Sequence, residues 1–208
     1  ISDPVISASP VLAPSQSANT VNTSSFKAVI ALGEDAAANP QGDHIIAVGV
    51  GAGANAGFET IYIGNTAGRG NSGGNNLTVG HYALYEAVSG VSENTALGNR
   101  NLYSLRNGAN NVAIGNQTLY TLEQGYANTA VGLSIAPALI EGTGNTYIGF
   151  QAGGTTLLSG NNNLYIGREA GSPTAIAEND QLYISNQATD TPLINCLLYT
   201  SPSPRDRG

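Results

Sequence analysis

The sequence predicts an all-β chain: a parallel β-solenoid, or β-roll, of about ten coils, each of roughly 15–18 residues. Three observations predict it. A short phrase recurs nine times, as IALG ending at Gly33, then at Gly49, Gly64, Gly80, Gly98, Gly115, Gly132, Gly149 and Gly167, with a tenth copy, LYIS, ending at Ser185. The intervals between these closing positions run 16, 15, 16, 18, 17, 17, 17, 18 and 18, and a near-constant period of this size marks a repeat architecture. Each phrase also places aliphatic residues two apart, as in Val112 and Ile114 or Leu164 and Ile166, which is the period of a strand. A coil of this length is too short for a strand–helix–strand unit, which needs about 30 residues.

Taken in order, residues 1–25 are rich in Ser, Ala, Thr and Pro and read as an extended linker. Residues 26–186 hold the repeats. The last copy is degenerate, and 187–195, with Pro192, read as a terminating segment. Residues 196–208, CLLYTSPSPRDRG, share no pattern with the rest and resemble the translation of a transposon-type sequencing adapter. On that reading Cys196 is no thiol site, and the tail is set aside from fold reasoning. The chain starts at Ile1 without Met, so it reads as a fragment.

Within a coil, the Gly closing each phrase suits a corner: Gly80, Gly98, Gly115, Gly132, Gly149 and Gly167. Four residues earlier stand Asn76, Asn94, Asn111, Asn128, Asn145 and Asn163. Asn accepts left-handed geometry and can hydrogen-bond from coil to coil, so a stacked Asn corner is expected. A second Gly follows ten residues after the first, at Gly90, Gly108, Gly125 and Gly142. Between the two runs a second apolar pulse: Leu84 with Val88, Leu102 with Leu105, Leu119 with Leu122, Leu139 with Ile140. Stacked coils about 4.8 Å apart would make a rod of roughly 45–50 Å. The Ile, Leu and Val before each Gly are expected to line its interior. Tyr62, Tyr147, Tyr165 and Tyr183 would then point the opposite way, and Tyr85, Tyr103 and Tyr120 would form a separate ladder. A coil this thin buries little alone, so the second apolar pulse or the tyrosine face is expected to pack against other copies, with a trimer about the rod axis as the closed solution.

The composition excludes several classes. Charged residues are 10 % of the chain, and the seven Lys and Arg stand singly against 14 Asp and Glu. A nucleic-acid groove needs clustered basic residues. No apolar run reaches the length of a membrane helix, about 18 residues or more. GVGAGANAG, Gly49–Gly57, lacks the third glycine of a dinucleotide loop and runs into another strand. His44 and His81 are too far apart in the repeat for a metal centre, which wants three or four convergent ligands. Asp43 beside His44, and Glu34 beside Asp35, read as solvated corners. Glu86, Glu123 and Glu141 read as a weak acidic stripe, not an opposed catalytic pair. No catalytic, cofactor-binding or metal-binding residue is expected, and no cofactor.

The phrase NNVAIGNQT, Asn110–Thr118, resembles the repeat of trimeric autotransporter adhesin heads, matching at Asn111, Val112, Ala113, Ile114 and Gly115. Partial matches fall at 94–98, 128–132 and 145–149. The longer coil, the Leu-Tyr insertion and the closing NDQLYISNQATDTPLIN are more similar to bacterial and phage tail-fibre proteins. The resemblance implies a left-handed roll, a homotrimer, and an extracellular place on a virion tail fibre or a bacterial surface. It implies attachment to a host or cell-surface receptor, glycan or protein, without membrane insertion or nucleic acid. The leading expectation is therefore a non-catalytic fibre segment. The alternative is a binding head in which Tyr85, Tyr103 and Tyr120 contact a ligand rather than pack a trimer. An ice-binding solenoid is more remote, because the central strand positions mix Ala, Thr and Tyr rather than forming a Thr ladder.

Overall fold

The computed structural model describes residues 20–22, 29–88, 90–172, 174–187 and 194–197. The strands in chain order are β1 (Thr20–Asn22), β2 (Val29–Leu32), β3 (Ile45–Val48), β4 (Thr60–Ile63), β5 (Leu77–Val79), β6 (Thr95–Leu97), β7 (Asn107–Ala109), β8 (Val112–Asn116) and β9 (Gln124–Tyr126). They continue as β10 (Thr129–Leu133), β11 (Glu141–Thr143), β12 (Thr146–Phe150), β13 (Ser159–Asn161), β14 (Leu164–Ile166), β15 (Ala177–Asn179), β16 (Gln181–Ile184) and β17 (Ile194–Leu197). There is no helix among the described residues. The chain is an all-β parallel solenoid of about nine turns: ten strands, one from each repeat phrase, pair in parallel from β2 to β16. The register is that of the repeat, with Gly115 opposite Gly132 and Gly132 opposite Gly149.

A second parallel sheet, β7, β9, β11, β13 and β15, covers the other side of the later coils. Its strands carry the second glycine, as Gly108 opposite Gly125 opposite Gly142, whereas the leucine pulse occupies the turns before them. Gly90 does not belong to this column. Ser92 bridges Ala109, which puts Val91 level with Gly108, and the spacing of ten misleads there by one residue. At the two ends of the long sheet, β1 pairs antiparallel with β2, and β17 with β16. β1 falls in the segment read as linker, and β17 straddles the boundary at 195/196. The remainder of the linker, most of the terminating segment and the tail from 198 onward lie outside the described residues.

The two faces of the long sheet are the reverse of the sequence expectation. The central column, running through Ala47, Tyr62, Ala96, Ala113, Ala130, Tyr147 and Tyr165, is fully buried. The aliphatic residues beside it turn outward, with Ile30 43 %, Ile114 37 % and Ile148 42 % exposed. The second apolar pulse belongs to the chain's own core: Leu84, Leu102, Leu105, Leu119, Leu122 and Leu139 are buried, and only Val88 and Ile140 of the expected pairs face out. The physical reason is space. An interior shared by two sheets and filled by these leucines has room for Ala in the central column, not for a further row of Ile.

Where the central residue is Tyr, the leucine gives way. Four residues after the closing glycine stand Leu84, Leu102 and Leu119 in coils whose central residue is Thr78, Ala96 or Ala113. In the Tyr62, Tyr147 and Tyr165 coils the same place is Gly68, Gly153 or Gly171. A Cβ on Gly68 would overlap the Tyr62 ring, and one on Gly153 would lie 3.1 Å from Tyr147 Cε1. The coil before a Tyr gives way too: Ala47 is accompanied by Gly53, where a Cβ would lie 2.8 Å from the Tyr62 ring, and Ala130 by Ala136, so close packing sets this position's volume against the central residues of its own coil and the next.

Candidate functional site

The asparagines also point inward. Asn76, Asn94, Asn111, Asn128, Asn145 and Asn163 are all buried. Left-handed φ belongs to the residue before each, such as Asn75, Asn110 and Asn162, so the corner role expected of the ladder asparagines is taken by their neighbours. The side chains form a continuous chain of amides. Asn128 Nδ2 donates to Asn111 Oδ1 at 2.9 Å, and Asn128 N donates to the same oxygen at 3.1 Å. Asn128 Oδ1 in turn accepts from Asn145 N and Nδ2 at 3.1 and 2.9 Å. The second Nδ2 hydrogen crosses the interior to Gly142 O at 2.8 Å, and Asn111 and Asn145 reach Gly125 O and Gly160 O in the same way. Each amide thus ties two adjacent coils and both sheets, and every one of its polar groups is used. The inward glycines of the second sheet are what the amides require: a Cβ on Gly142 would lie 2.8 Å from Asn145 Nδ2.

The closing glycines have a separate cause. Gly115 sits at φ +137°, and a Cβ there would collide with the carbonyl oxygen of Gly132 in the next coil. No L side chain fits such a stacked column.

Tyr85, Tyr103 and Tyr120 form the ladder that their spacing suggests. Their ring centroids lie 5.2 and 4.9 Å apart with interplanar angles of 27° and 23°. The ladder is longer than the repeat shows, because Tyr82 packs edge-on against Tyr85 at 4.9 Å and His81 against Tyr82 at 4.1 Å. These two residues stand at turn positions held by Asn99 and Arg100, then by Asn116 and Gln117, in the following coils, so no periodicity pointed to them. The stacked rings use their faces on one another, and Tyr85, Tyr103 and Tyr120 are each half-buried. Desolvation, and after it the neighbouring Tyr120, Glu86 and Tyr85, push the Tyr103 phenol up. Beside the ladder, Arg106 bridges coils to Glu86 at 2.6 Å, an exposed pair worth about 0–1 kcal/mol. Glu123 and Glu141 are exposed.

Inside the rod, burial pushes the Tyr62, Tyr147 and Tyr165 phenols well up. Asn71 Nδ2 donates to Tyr62 Oη at 3.2 Å. Tyr165 donates to Glu178, which also accepts from Tyr183 at 3.3 Å. Glu178 enters from the place that Gly160 holds in the preceding coil. Tyr147 Oη and Thr78 Oγ1 are the buried side-chain atoms without a partner among the described residues.

No group of three His, Cys, Asp or Glu side chains converges on a metal-sized site among the described residues. His44 is an exposed corner with φ 58°. In the Gly49–Gly57 stretch, Ala52 and Ala56 are core and Gly51 and Gly53 are left-handed turn residues; no helix follows. No helix among the described residues is long and apolar enough to cross a membrane.

The broadest surface feature is the outer face of the long sheet. One column runs through Leu32, Val48, Ile63, Val79, Leu97, Ile114, Val131, Ile148, Ile166 and Ile184 in unbroken register. The parallel column from Ile30 to Leu182 holds aliphatic residues with Thr95, Thr129 and Thr146. Neither column contains a charge. Leu133 and Phe150 widen the strip beside Val131 and Ile148, and Arg168 sits 5.9 Å over the Phe150 ring.

No known protein family, curated protein or solved structure matches the chain.

Proposed function

We propose that the chain is a non-catalytic structural segment of a tail fibre or surface adhesin, extracellular, assembled as a homotrimer and contributing to attachment to a host or cell-surface receptor. The uncharged double column on the long sheet carries the reading. Ten rungs at about 4.8 Å give a strip about 45 Å long and about 12 Å wide, of order 500–600 Å². That is at the upper end of the largest apolar patch on an ordinary monomer, about 300–600 Å², and most of the way to the roughly 800 Å² per partner of a standard interface. A straight strip parallel to the rod axis suits identical copies side by side. The repeat's resemblance to adhesin and tail-fibre rolls supplies the number three.

This assembly surface differs from the two expected from sequence. The leucine pulse is core, and the Tyr85–Tyr103–Tyr120 stack is satisfied within one chain. The faces between its rings are taken up by the stacking, and no observation favours the ladder as the receptor site. Sedimentation equilibrium tests the proposal. Wild type is expected at three times the mass of the 21.1 kDa chain. Ile114→Glu with Ile148→Glu, both on outward positions, is expected to give folded monomer. A monomeric wild type, or a trimer indifferent to both charges, contradicts it.

A further inference from the structure

The outer face of the second sheet is unlike that of the first. Its strands β9, β11 and β13 expose polar residues around a groove of about 320 Å³ lined by Gln124, Tyr126, Glu141, Thr143, Ser159 and Asn161. The side chains are held in place. Tyr126 donates its hydroxyl to Asn107 Oδ1 at 2.6 Å. Gln124 Nε2 leans on Glu141 Oε1 at 3.3 Å. Asn161 donates to Asn179 Oδ1 at 3.0 Å and accepts from the Thr143 backbone at 3.0 Å. Among the described residues, the Ser159 and Thr143 hydroxyls, the Gln124 carbonyl and the second Glu141 oxygen have no hydrogen-bond partner, so they remain open to a ligand. The groove therefore offers a half-exposed aromatic ring and fixed hydroxyl, amide and carboxylate groups on rigid strands.

We infer that this groove binds a neutral saccharide. A sugar carries an apolar ring face for Tyr126 and hydroxyls that pair with amide, carboxylate and hydroxyl oxygens. No Lys or Arg lines the groove, Glu141 is its charge, and the chain carries −7 overall; an acidic glycan would meet repulsion without a cation to receive it. An apolar peptide side chain would find one ring and no enclosed pocket. Three strands span about 10 Å along the rod, the length of a disaccharide. The groove lies across the interior from the apolar strip, so in the proposed trimer three copies face outward and can act together. Only that multivalency rests on the proposed assembly.

The test is a glycan array of neutral and sialylated oligosaccharides probed with the fluorescently labelled full chain, with sedimentation of the same sample. Binding to one or more neutral oligosaccharides is expected. Tyr126→Ala is expected to lower it about tenfold or more, with Glu141→Gln changing it as well and the thermal melt of both variants unchanged. Tyr103→Ala, outside the groove, leaves saccharide binding as it was. No neutral binding, binding only to sialylated glycans, or binding that survives Tyr126→Ala overturns the inference. A trimer with a blank array sinks the groove alone; a monomer that binds saccharide sinks the assembly alone.

Discussion

Asn128 shows what one side chain does in this fold. It closes four hydrogen bonds to two neighbouring coils and to the opposite sheet, all out of water. Removing it strands the Asn145 amide and the Gly142 carbonyl. Asn128→Ala is expected to cost about 2–4 kcal/mol, because buried polar groups lose their partners; urea unfolding would read it. Asn128→Asp keeps the shape but replaces two donors with a buried charge facing the Asn111 oxygen, and should cost at least as much. The tyrosines give a pH signature. Tyr62, Tyr147 and Tyr165 have phenols raised above the ordinary 10.0. A phenol raised in the folded state stays neutral there while the unfolded chain ionises. The stability it carries is whole below the unfolded value and is lost as pH climbs from there toward the raised folded value. Alkaline titration followed by phenolate absorbance should therefore show these rings ionising together with unfolding rather than ahead of it.

At the scale of the coil, the reciprocity of the interior makes a sharp prediction. Gly68→Leu drives a side chain into the Tyr62 ring, and overpacking of this kind typically costs about 1–3 kcal/mol. Adding Tyr62→Ala recreates the Ala96–Leu102 arrangement two coils later, and Gly68 already has the left-handed φ of +60° that Leu102 adopts at 50°. The double variant is expected to recover most of the loss; thermal melts of the four proteins in the cycle measure it. The same reciprocity explains what was legible in the sequence. The ten strands, their parallel stacking and their register could all be read, because a fixed period needs only matched phrases. The direction of the strands could not be read by the usual rule that bulky aliphatics face inward. Ile114 and Ile148 look like core, and Ala113 and Tyr147 do not. The signal that would have corrected it lies six positions further on, where Leu119 accompanies Ala113 but Gly153 accompanies Tyr147. The groove around Tyr126 left no comparable trace. Gln124, Glu141 and Ser159 occupy one column of three coils with three different residues, and only stacking brings them together.

At the scale of the whole rod, stability is a sum of coils and their contacts. Val112–Asn128 is one full turn, since Val112 and Thr129 are opposite each other in the ladder. Deleting that turn joins Asn111 to Thr129 and leaves every column continuous. The shortened chain should remain β-rich and cooperative, with a lower unfolding midpoint. Deleting only 112–120 should abolish folding, because half a turn puts the amide column of one coil against the outer face of the next. Circular dichroism separates the two outcomes.

The most direct test of the central claim is the chemical accessibility of neighbouring residues on one strand. In a Cys196→Ser background, Ala113→Cys should resist a maleimide until the chain unfolds. Ile114→Cys should instead join copies through disulfides under mild oxidation, and should label freely once Ile148→Glu separates them. Rapid labelling of position 113 in the native protein, with position 114 protected even in the separated chain, would contradict the account.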